Sequence, residues 1–116
     1  MNEEELRILK EQELADRKRS KWVSLQPQEE LDIQFDVRKI TDSERTFKGK
    51  TTPAKKHVVR IPSWSETQEY ELQLAETWAK NLRRKMIETG KTFIRVRRDG
   101  SSSGDTKYTF EPIEKY

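Results

Sequence analysis

The chain has 116 residues, 39% of them charged and 31% apolar, with a formal net charge of +3 and no cysteine. That length makes one domain with a small core under a very polar surface, and part of so polar a chain is expected to stay unpacked. Disulfides and thiolate metal sites are excluded. No run approaches the roughly 18 apolar residues of a membrane span, and the polar, acidic N-terminus does not read as a signal peptide, so an intracellular setting is expected.

Residues 1–20 read as a charged helical arm, and 21–116 as the domain proper. In the arm, Leu6, Ile8, Leu9 and Leu14 are the only large apolar side chains beyond Met1. They form a thin stripe, not the wide face of a core helix. Glu3, Glu4 and Glu5 open the arm and Arg17, Lys18 and Arg19 close it, which complements the helix dipole. The expectation is a mobile arm, or one through which the chain self-associates.

Lys21 to Leu25 then leads to a turn at Gln26-Pro27-Gln28-Glu29. From there Leu31, Ile33, Phe35 and Val37 alternate with Asp32, Gln34, Asp36 and Arg38, the period of a half-buried strand. A loop follows at Lys48 to Pro53. A second strand runs from Lys56 to Trp64, with Val59 and Ile61 on its core side. Residues 65–74 are open to two readings. Ser65 could cap a long helix, but Glu69 to Leu74 alternates strictly, which favours strand over 69–74 and helix over 75–89. In that helix Leu74, Trp78, Ala79, Leu82 and Met86 share a face, and Gly90 suits the left-handed position after its end. Phe93 to Arg97 is a strand with Ile94 and Val96 inward and Phe93, Arg95 and Arg97 outward. Asp99 to Asp105 is a Gly/Ser loop, and Thr106 to Ile113 closes the chain as a strand.

Charge is unevenly spread along these elements. Pro27 to Thr46 sums to −3, Phe47 to Arg60 to +5 and Lys91 to Lys107 to +3. Two basic segments on a nearly neutral domain are the footprint expected of a polyanion partner.

The order β-β-β-α-β-β is that of an OB-fold. The stretches Gly90 to Gly100 and Gly104 to Pro112, with Lys21-Trp22-Val23-Ser24-Leu25 before them, carry a wider likeness. Over Trp22 to Pro112 the chain resembles the compact OB-fold single-stranded-DNA-binding proteins of phages and archaea. The charged arm is not a general feature of those modules. The resemblance implies a mainly β fold: a five-stranded barrel with one helix between strands 3 and 4, plus the N-terminal charged helix. The alternative is an α+β domain with one long helix on an antiparallel sheet. It also implies loops that flank a nucleic-acid groove and a role in replication or repair.

Single strands are bound by cations interleaved with aromatic rings. On that chemistry Phe93, Arg95 and Arg97 are the expected strand-face contacts, and Phe47, Trp22 and Trp64 the further stacking candidates. Lys48, Lys50, Lys55, Lys56, Arg60, Arg98 and Lys107 are expected on phosphates. The helix cations Lys80, Arg83, Arg84 and Lys85 read as a solvated surface. Catalysis is not expected. His57 is the only histidine, reads as a surface residue and has no nucleophile or metal-ligand pattern around it. Glu29, Glu30, Asp32 and Asp36 have no second cluster to complete a metal site, so no cofactor or metal is expected. The expected partner is single-stranded DNA, with RNA as an alternative and a protein-interaction or assembly role for the arm as another.

Overall fold

The computed structural model describes residues 1–100 and 106–114. The elements are α1 (Glu3–Arg19), β1 (Trp22–Val23), β2 (Glu30–Phe47), β3 (Lys50–Arg60), β4 (Tyr70–Ala75), α2 (Glu76–Thr89), β5 (Phe93–Asp99) and β6 (Lys107–Pro112). The Gly/Ser loop expected over 99–105 lies mostly outside the described residues. The fold is mainly β: six strands form one curled half-barrel in the order β1-β4-β3-β2-β5-β6. All neighbours are antiparallel except β1 and β4. Among the described residues the strand count is therefore six, not five. The addition is the two-residue β1, which lies parallel to β4 through Trp22↔Glu71 and Val23↔Leu72.

From β2 onward the element order matches the sequence reading. Strand at Tyr70–Ala75 followed at once by helix at Glu76–Thr89 resolves the ambiguous segment. Ser65 does not cap a helix. Its Oγ accepts hydrogen bonds from the N–H groups of Thr67 (3.3 Å) and Gln68 (3.0 Å), closing a tight turn. Gly90 ends α2 at φ 67°, where a side chain would be strained.

The core sits on the concave side of the sheet. Ile33, Phe35, Val59, Ile61, Leu72, Leu74, Ile94 and Val96 point into it, and α2 closes it with Ala79, Leu82 and Met86. Trp78 sets its ring edge-on to Tyr108 at 5.7 Å. The alternation of β2 breaks after Phe35. Phe35 pairs with Val59, but the next pair is Ile40 with His57. Regular register would put Val37 opposite His57, so three surplus residues bulge out here. Val37, expected on the core face, is thrown to solvent at 53% exposure, and the strand bends as bulged strands do.

Helix α1 is capped by the Asn2 side chain, whose Oδ1 accepts from Glu5 N–H at 2.8 Å, and it buries no residue. Among the described residues only its C-terminal end is fastened. Arg17 forms a two-pronged pair with Glu29 (2.8 and 2.8 Å), donates to Ser24 O (3.0 Å) and lies 4.9 Å from the centre of the Trp64 ring. Tyr70 Oη donates to Lys18 O at 2.8 Å. Burial pushes the Glu29 carboxyl up. The Arg17 hydrogen bonds, the Gln26 N–H and the Arg17 charge outweigh this and hold it below its ordinary value. Arg17→Ala removes the clamp and leaves Glu29 half satisfied. An expected loss of about 1–2 kcal/mol in urea unfolding, with faster proteolysis near residue 20, would show that this pair carries the attachment.

Candidate functional site

The basic segment Phe47 to Arg60 is not a loop. Lys48 and Gly49, at φ 50° and 77°, make a two-residue hairpin turn of the mirror-image class that matches strand twist. Around it β2 and β3 form one continuous ribbon, with pairs from Ile40↔His57 to Phe47↔Lys50. β5 pairs with β2 only over Glu30–Gln34, and β4 pairs with β3 only over Ala54–Val59. Beyond Glu44↔Pro53 the ribbon is thus two strands with both outer edges unpaired. Its end, residues 45–52, carries Arg45, Lys48 and Lys50 and no acid. All three cations are exposed. A radius of gyration of 15.2 Å, against roughly 13 Å for a compact chain of this length, reflects the ribbon and α1 standing out from the body.

Phe93, Arg95 and Arg97 on strand β5 lie on the outward parity as expected, but their surroundings differ from expectation. Phe93 is on the outward parity but is only 4% exposed, so its ring is not presented to a base. Arg95 donates to Asp32 directly across the strand pair (2.9 and 3.4 Å) and lies 3.6 Å from Glu30. Arg97 pairs with Asp99 at 3.0 Å and reaches Gln28 at 3.3 Å. Arg98 is a staple: it donates to Leu25 O and to Thr106 Oγ1, while its backbone binds the turn at Gln28 and Glu29. The face expected to be positive is therefore neutralised by its own carboxylates.

The remaining candidates divide. Lys55 is held by Asp42, and Lys56 lies 3.8 Å from Glu71. Arg60 and Lys107 are exposed and make no ion pair among the described residues. Trp22 is 57% exposed beside the sheet edge. Trp64 is taken up by Arg17 and by an edge contact with Tyr70 at 5.6 Å. The Phe47 side chain lies outside the described residues.

Two further cation groups bear on the site: Arg45, which sequence reasoning did not single out, and the α2 cations, which it read as a solvated surface and which are exposed as expected. Arg45 stands at the ribbon end, just before the acid-free window began. Lys80, Arg83, Arg84 and Lys85 on α2 are all exposed and make no ion pair among the described residues. The spacing of Lys80, Arg83 and Arg84, at i, i+3 and i+4, was the available signal for one face. Next to this face, α2 and the edge strand β6 enclose a groove of about 350 Å³ lined by Arg84, Lys85, Tyr108 and Phe110.

His57 is not a surface residue. It shares the parity of Val59 and Ile61, is 2% exposed, and packs edge-on to Phe35 at 5.6 Å. Burial holds its pKa below the ordinary value; the Leu72 carbonyl opposes this and Lys55 adds to it. The unfolded chain therefore binds the proton more tightly, and stability is fully present above about pH 6.5. It should fall as pH drops below that value, by at most about 1.4 kcal/mol per pH unit. Urea midpoints between pH 7.5 and 5 should show the fall, and His57→Phe should remove the part due to this residue.

Among the described residues no group of three or more His, Asp or Glu could hold a metal ion, and no helix is long and apolar enough to cross a membrane. Compared with protein-family models, with curated proteins and with solved structures, the chain matches none of them.

Proposed function

We propose that this protein is a non-catalytic binder of single-stranded nucleic acid. The observation that carries the reading is where unneutralised cations lie. On the sheet body carboxylates pair with Lys55, Lys56, Arg95 and Arg97, leaving Arg60 and Lys107 as scattered unpaired cations, while Arg45 and Lys50 on the ribbon and the four cations of α2 are grouped and have no carboxylate partner among the described residues. Free cations are what a phosphate backbone recruits by releasing its counterions. The half-buried Tyr108 beside Arg84 and Lys85 supplies an aromatic next to cations, the pairing that single strands need. The OB-like assignment is supported by the order of β2 to β6, with α2 between the third and fourth of those strands. The sheet departs from a closed five-stranded barrel in its sixth strand and in its ends, β1 and β6, which do not pair among the described residues. Within this reading the strand runs along the ribbon and α2, not across Phe93, Arg95 and Arg97.

Titration of tryptophan fluorescence with oligo-dT at two salt concentrations tests the proposal. Binding that weakens steeply with salt is the expected result; absence of binding at low salt sinks it. One observation favours a second reading. A projecting two-stranded basic ribbon also fits the major groove of duplex DNA. A duplex of matched length that binds more tightly than oligo-dT would establish that alternative.

A further inference from the structure

Where α2 crosses the base of the ribbon there is a cleft of about 80 Å³, lined by Lys55, His57, Glu76, Lys80 and Arg83 together with apolar side chains. That is far below the roughly 300–1,000 Å³ of a pocket for a whole small molecule, and it suits one tetrahedral oxyanion. The β2 bulge shapes it by bringing Ile40, rather than Val37, opposite His57.

His57 is the buried polar group on this cleft. Its Nδ1 lies 3.3 Å from Leu72 O. With the proton on Nδ1, Nε2 is left as an acceptor with no hydrogen-bond partner among the described residues. Lys80 and Arg83, on one face of α2, make no ion pair among those residues. Lys55 is shared with Asp42, and Glu76 is the carboxylate on the cleft wall. Three cations against these two carboxylates leave the site positive, and unlike the arginines of β5, two of the three are unneutralised.

We propose that this cleft is a binding site for one phosphate group, with Lys80 and Arg83 as its principal donors and the His57 ring at its wall. It rests on the strand-binding reading only for which phosphate arrives there: one within a strand, one at a strand end, or free inorganic phosphate. A bound dianion favours protonation of the imidazole, so Nε2 would turn from acceptor to donor as the site fills.

The sole histidine makes the test direct, because every imidazole ¹H–¹⁵N correlation in the full chain belongs to His57. Sodium phosphate, titrated against sodium chloride at matched ionic strength and pH, should move that signal saturably while chloride does not. Lys80→Gln with Arg83→Gln should weaken half-saturation at least tenfold; Arg7→Gln with Lys10→Gln, which removes the same charge from α1, should leave it unchanged. No phosphate-specific shift, or an unchanged half-saturation in the α2 double variant, overturns the proposal. Oligo-dT with a 5′-phosphate and with a 5′-hydroxyl then identifies the source. A shift with both points to a phosphate within the strand, and a shift with the phosphorylated oligomer alone to its end. A response to inorganic phosphate with no binding of either oligomer supports the cleft and overturns the strand-binding reading.

Discussion

Arg45→Gln with Lys50→Gln is expected to weaken binding of oligo-dT at low salt by on the order of 30-fold. The figure follows from about 1 kcal/mol per charge for a cation 4 Å from a phosphate in water. Both side chains are exposed on a ribbon end with no acid, and neither is committed to a carboxylate among the described residues. The plot of log affinity against log salt should also flatten, by about 1.4, because each cation removed from a single strand's phosphates takes away roughly 0.7 of the slope. Arg95→Gln with Arg97→Gln removes the same formal charge, yet it should cost much less. Those guanidinium groups already sit on Asp32 and Asp99, at 2.9 and 3.0 Å, and a phosphate would have to compete for them. Fluorescence titrations of both double variants at two salt concentrations check the pair of expectations. Equal losses would mean that the β5 face takes part after all, and no loss in the ribbon variant would remove the ribbon from the interface.

Leu82→Ala should strongly destabilise the fold. Leu82 is fully buried where α2 closes the concave face, between the turns that carry Ala79 and Met86. Loss of a buried leucine to a cavity costs about 2–5 kcal/mol, a large share of the roughly 5–15 kcal/mol that holds a domain together. α2 also carries Lys80 and Arg83, so the variant should lose phosphate binding and stability together, while Lys80→Gln with Arg83→Gln loses only the former. Urea unfolding followed by far-ultraviolet circular dichroism separates the two.

Local patterns made much of the architecture legible. Strict alternation over Glu69 to Leu74 placed β4, and the four-residue spacing from Leu74 to Met86 placed α2, because each pattern reports one element against one core. Val37 shows where that logic stops: alternation ran through it without a break, and only the partner strand reveals that three residues are surplus. The same limit applies to Arg95. Its outward face was readable from β5 alone, but its neutralisation depends on Asp32 standing opposite in β2, which is a fact of register between distant strands. Phe93 was assigned the right side of the strand, but parity says nothing about what covers a side. His57 was legible and misread: it has the parity of Val59 and Ile61, and its polar character outweighed a pattern that already pointed inward.

Pro53 gives the ribbon a mechanical property. It has no N–H to offer a neighbouring strand, and β4 stops pairing one residue later, at Ala54. From that point to the turn at Lys48-Gly49 the hairpin is a cantilever of about four residues per strand, about 13 Å long at roughly 3.4 Å per residue. A flex of some 20° at its root would carry the cationic tip through about 5 Å on that geometry without breaking a hydrogen bond in the sheet or disturbing α2. The span between the tip and the α2 cations is therefore adjustable. On the proposed strand-binding reading, such a flex would let the ribbon and α2 close on chains of different girth.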